Sequence, residues 1–65
     1  MSDQPIKAGD EITATVTKAL PFGVLVEFAG VPGLVRGVHG EPGSVLQLRV
    51  VEYDRAEHRF SATAA

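Results

Sequence analysis

From Thr13 to Arg36 the chain reads TATVTKALPFGVLVEFAGVPGLVR, a period-two alternation interrupted by a proline-led turn and a Gly-Val-Pro-Gly corner. The alternation predicts two β-strands, Ile12 to Lys18 and Phe22 to Phe28, joined through Ala19, Leu20 and Pro21. In the first, Ile12, Ala14 and Val16 share one face while Thr13, Thr15 and Thr17, β-branched and polar, suit the wet one. In the second, Val24, Val26 and Phe28 point inward and Leu25 and Glu27 outward. Phe22 has the inward parity, but Gly23 follows it directly. A glycine there can host a bulge that swings the ring to the outer face of Leu25, so Phe22 is either a core aromatic or an exposed one, and the exposed reading is preferred.

The rest of the chain continues in short strands. Gly30 to Gly33 is predicted as a tight corner, with Leu34 to Arg36 as a short third strand. Residues Gly37 to Gly43, GVHGEPG, are too broken for helix or strand. Ser44 to Asp54 is the longest strand candidate. Its inner register of Leu46, Leu48 and Val50 changes parity at Val51 and Tyr53, which predicts a bulge near Val50 and Val51. A charged turn, Asp54 to Glu57, leads to a last strand from His58 to Thr63, with Phe60 and Ala62 inward. Five short strands, glycine-rich corners and no helical period predict an all-β, antiparallel Greek-key barrel.

A chain of 65 residues has room for one core. Residues 1–8 are read as a flexible leader, since Pro5 and the polar run offer only Ile6 to bury, and residues 9–65 as the domain. Without cysteine, packing alone must hold the fold, and a cytoplasmic location is the expectation. No run has the length of a signal peptide or a membrane span. The formal net charge of -2 argues against a module that binds nucleic acid by bulk charge, so anion binding must use a local patch. His39 and His58 lack a nearby third ligand, and no nucleophile, base and orienter fall at a workable spacing. The chain is therefore read as a non-enzyme with no metal and no cofactor.

The segments GDEITATVTK, PFGVLVEF, GVPGLV and VVEYDRAEHRFS, in this order, resemble the S1 RNA-binding domain family. The resemblance implies a five-stranded oligonucleotide-binding (OB) barrel that holds RNA on one face. Its two strand-two aromatics would fall on Phe22 and Leu25, its histidine after the Gly-Leu-Val corner on Arg36, and its closing Asp and Arg on Asp54 and Arg59. Leu25 lacks a π-face, while Arg36 brings a permanent charge that can pair with phosphate or stack on a base. The segment between strands three and four is shorter than the family's, a trimmed loop.

On this reading Phe22 stacks a base, Leu25 packs beside it, and Arg36, Arg59 and Lys18 hold phosphates. Asp54 is more suited to ordering the last turn than to meeting phosphate, whose charge repels it. The expected ligand is single-stranded RNA, bound weakly by a monomer with little sequence preference. The alternative is a protein-interaction barrel that has lost much of the RNA site, for which the acidic balance and the missing second aromatic speak. For Arg36 and Arg59 the plainer reading is solvated barrel surface.

Overall fold

The computed structural model describes residues 6–65. Five strands, β1 (Glu11–Leu20), β2 (Gly23–Phe28), β3 (Val31–Arg36), β4 (Val45–Asp54) and β5 (Arg59–Ala64), close into a barrel in the order β1-β2-β3-β5-β4. The first half of β1 pairs with β4 and the second half with β2, so one long strand serves both sides of the closure. All pairings are antiparallel except the seam between β3 and β5, which is parallel and spans Gly33 to Val35 against Phe60 to Ala62. The sheet is thus mixed, as β3 and β5 come together through a long connection rather than a hairpin. Among the described residues no helix is long and apolar enough to cross a membrane.

The inward rows follow the period-two pattern. Ile12, Ala14 and Val16 of β1 meet Val24 and Val26 of β2, Val31 and Val35 of β3, Leu48 and Val50 of β4, and Phe60 and Ala62 of β5. Phe28 and Tyr53 pack against this core half-buried. The Phe60 ring lies directly over the backbone of Gly33, so closely that a Cβ at Gly33 would overlap its carbons. Barrel closure at this seam needs a residue without a side chain.

Two bulges adjust the parity. The β1–β2 register shifts at Thr17, so Lys18, which unbroken alternation would place inward with Val16, instead pairs with Leu25 and is exposed. Thr17 Oγ1 donates to the Leu25 carbonyl at 3.2 Å beside that shift. The expected bulge in β4 lies at Val51, between Val50 and Glu52, and it turns Glu52 outward and Tyr53 toward the core. Without these insertions two charged side chains would face the interior, where an unpaired charge is prohibitively costly.

Three local expectations are corrected. Phe22 is 56% exposed, but no bulge at Gly23 produces this: Phe22 lies in the two-residue turn between Leu20 and Gly23. Gly23 is required because the Val35 carbonyl and Arg36 Cα occupy the space of a Cβ. The corner placed at Gly30 to Gly33 is instead a two-residue hairpin at Ala29 and Gly30, with φ of 53° and 81°, and β3 begins at Val31. Positive φ at both central positions matches the twist of the flanking strands. Pro32 then sits inside β3 opposite Glu27, ahead of the seam with β5, where its missing N–H costs no ladder bond.

Residues 1–5 of the expected leader lie outside the described residues. Ile6 belongs to the core and is completely buried, an apolar burial worth about 1.5–3 kcal/mol. The turn behind it is tied to β4, with Gly9 N–H donating to the Val50 carbonyl at 2.7 Å and Val50 N–H to the Asp10 carbonyl at 2.8 Å. The connection between β3 and β4 holds no helix. Val38 packs against the core, Gly40 approaches Val16 and Val24, and Gly43 N–H donates to the Val16 carbonyl at 2.8 Å. A short loop thereby covers this end of the barrel.

Candidate nucleic-acid interface

The strand registers place one row of outward residues across the whole barrel face. Lys18 of β1 is the Cα partner of Leu25 in β2, Leu25 of Leu34 in β3, Leu34 of Ser61 in β5, and Ser61 of Glu52 in β4. Leu25 and Leu34 are half-buried and form an apolar strip between a cation at one edge and a carboxylate at the other. Two residues beyond Leu34 along β3, to one side of this row, Arg36 is the partner of Gly23, so its backbone stands next to that of Phe22. The Phe22 backbone is held there by Gly37 N–H, which donates to its carbonyl at 3.0 Å. On the opposite side of the row, two residues along β4 and β5 from Glu52 and Ser61, Asp54 and Arg59 are partners. Arg36 and Arg59 are therefore separated by about 13 Å along the strand direction, four residues of strand rise.

Beyond the leucines the surface dips into a groove of about 320 Å³, lined by Leu34 and Arg36 of β3, Glu52 and Asp54 of β4, and Arg59 and Ser61 of β5. Of the residues singled out in the sequence, Arg36, Asp54 and Arg59 line this groove, while Phe22, Leu25 and Lys18 flank it on the β1–β2 side. The registers put Lys18, Leu25, Arg36, Asp54 and Arg59 on outward positions, and Phe22 is exposed in the turn next to Arg36. Leu34, Glu52 and Ser61 were not singled out. Alternation around Gly33 and Val35 could have found Leu34, but the parity of Glu52 depends on the bulge at Val51.

Asp54 orders the last turn. Its Oδ1 accepts the N–H groups of Ala56 at 3.0 Å and Glu57 at 3.1 Å, which shapes the path to His58, a residue in the left-handed region with φ of 56°. The half-buried Tyr53 places its hydroxyl 3.3 Å from His58 Nδ1 and tightens the same turn. This scaffold fixes where Arg59 enters β5. Among the described residues neither a hydrogen bond nor an ion pair engages the side chains of Arg36, Arg59 or Glu52; the recorded ion pair, Arg49 to Glu11 at 2.8 Å, is elsewhere and exposed. The groove therefore carries free donors and free acceptors. Among the described residues no group of three His, Asp or Glu could hold a metal ion.

No family model matches the chain, and no curated protein matches it in sequence. Solved structures do. The uncharacterized protein MJ1198 from Methanocaldococcus jannaschii superposes with a TM-score of 0.84 at 13% identity, over 95% of this chain and 96% of that one. A chain of the a/eIF2alpha–aDim2p–rRNA complex from Pyrococcus horikoshii matches with a TM-score of 0.80 at 13% identity, over 94% of this chain and 45% of that one. A multidomain protein with nucleic acid binding domains from Streptococcus pneumoniae matches with a TM-score of 0.76 at 16% identity, over 89% of this chain and 22% of that one. This chain thus spans less than half the length of the last two. In fold it is a five-stranded closed barrel of the OB type, matched by these structures over nearly the whole chain.

Proposed function

We propose that the chain is an RNA-binding module that holds single-stranded RNA weakly, and largely without regard to sequence, across the face formed by Phe22, Leu25, Leu34 and the groove beside them. The observation that carries this reading is that two unengaged arginines, Arg36 and Arg59, line one groove beside the half-buried strip of Leu25 and Leu34, with the exposed Phe22 in the turn next to Arg36. Phe22 offers a stacking surface, and a platform of this kind contributes about 1–3 kcal/mol per base whatever the base. Arg36 and Lys18 lie beside the apolar strip, where phosphates flanking a stacked base would run. Asp54 acts through the turn that it shapes rather than by touching RNA. Two of the similar structures support the reading at the level of fold: one is of a complex containing rRNA, the other of a protein with nucleic acid binding domains.

A titration of the isotope-labelled chain with short single-stranded RNA, followed by backbone amide shifts at low and moderate salt, tests it. Shifts concentrated at Phe22 to Leu25, Leu34 to Arg36 and Arg59, weakening as salt rises, are the expected result. A spectrum that stays fixed at high RNA concentration would overturn the reading. It would turn attention to a protein partner, for which the carboxylates of Glu52 and Asp54 in the groove would then be the recognition groups.

A further inference from the structure

The carboxylates in the groove restrict what can enter it. Glu52 and Asp54 repel phosphate, so the groove suits a part of a nucleotide that carries hydrogen-bond donors, with phosphates kept toward Arg36 and Lys18. The two acids are not equivalent. Asp54 already accepts two backbone N–H groups through Oδ1. Glu52, turned outward by the bulge at Val51 and free of hydrogen bonds among the described residues, presents both oxygens, and Arg36 and Arg59 line the same groove with unengaged donors.

A carboxylate fork and a guanidinium that line one groove without pairing with each other are together complementary to an edge with two adjacent donors next to an acceptor. The Watson–Crick edge of guanine has that order, with N2–H₂ and N1–H beside O6. Cytosine and adenine offer a single amino donor on this edge, and uracil a single N–H between two carbonyls. The groove volume of about 320 Å³ is at the low end of small-ligand clefts and suits one base rather than a longer segment.

We infer that the groove between β3, β4 and β5 is a base subsite selective for guanine, in which Glu52 accepts from N1–H and N2–H₂ and an arginine of the groove donates to O6. The inference rests on the RNA-binding reading above. It adds a preference at one position of the strand, while stacking on Phe22 remains indifferent to the base.

The test is fluorescence polarisation at one low salt concentration with a short oligouridine and the same strand carrying guanosine, inosine or deoxyguanosine at its centre. The wild-type chain and Glu52→Gln are compared, the variant's fold being checked by its amide spectrum. The guanosine strand is expected to bind about fivefold tighter than oligouridine, the low end of discrimination by a bidentate contact because the site is open to solvent. Inosine, which lacks the amino group, should lose most of that gain and deoxyguanosine should keep it, and in Glu52→Gln the ratio of the two affinities should fall to about one. Equal binding of guanosine and uridine strands by the wild type overturns the inference and leaves the RNA reading standing, whereas failure of every strand to bind removes both. A preference that survives in Glu52→Gln takes the carboxylate out of the subsite. One that vanishes with deoxyguanosine moves the contact from the base to the ribose.

Discussion

Replacing Phe22 by alanine separates the two roles open to an aromatic in this barrel. The ring is 56% exposed, so a little under half of its surface is covered by protein. With about 150–250 Å² for a phenylalanine and about 25 cal/mol per Å², and after discounting what alanine and the denatured chain already cover, truncation should cost about 1 kcal/mol of stability. Phe60, only 3% exposed and seated on Gly33, should cost about 3–5 kcal/mol when truncated in the same way. The order reverses for RNA. Loss of the stacking platform should weaken binding by about 1–3 kcal/mol, which is roughly five- to 150-fold in Kd. Urea denaturation of wild type, Phe22→Ala and Phe60→Ala measures the first pair of values, and RNA titration of wild type and Phe22→Ala at one salt concentration measures the second. If Phe22→Ala loses as much stability as Phe60→Ala, the ring is structural. If it keeps full stability and unchanged RNA affinity, the platform is refuted.

Other perturbations test separate parts of the account. Arg36→Ala should reduce the salt dependence of RNA binding by one phosphate contact, about 0.7 in the slope of log K against log salt for a single strand, and an unchanged slope would remove Arg36 from the backbone path. Gly33→Ala drives a methyl into the Phe60 ring and should destabilise by about 2–3 kcal/mol, whereas Gly40→Ala, whose Cβ would meet its neighbours at 3.4 Å or more, should stay within about 0.5 kcal/mol in the same denaturation experiment. Asp54→Ala removes the acceptor for Ala56 and Glu57 and should lower stability by about 1 kcal/mol while leaving the salt slope of RNA binding unchanged; a steeper or shallower slope would show that this carboxylate does meet the RNA.

The outward position of a residue was legible in the sequence where it depends on the residue's own chemistry and its immediate neighbours. Arg36 after the Gly-Leu-Val segment and Arg59 ahead of Phe60 line one groove, and Phe22 beside Gly23 is exposed in the turn next to Arg36. The reason given for Phe22 did not survive, because a ring in a two-residue turn needs no bulge to be exposed. The glycine beside it answers instead to the backbone of β3, which local sequence does not reveal. Ile6 shows the same limit from the other side. A single apolar residue after a polar run carries no periodic signal, yet barrel closure leaves a place for it that only the assembled strands define.

By itself the sequence determined the strand periodicity, the inward sets from Ile12 to Val16 and from Val24 to Val26, and the bulge near Val51, because side-chain parity is a property of the extended backbone. Tertiary structure decided which outward residues became neighbours. The parallel β3–β5 seam set Leu34 against Ser61, and the β1 bulge at Thr17 set Lys18 against Leu25. Register between strands far apart in sequence is fixed by closure of the barrel over a shared core, and a single inserted residue reverses the facing of everything after it. The residue types of the face are therefore written locally, and their arrangement as a row ending in a groove exists only in the closed barrel.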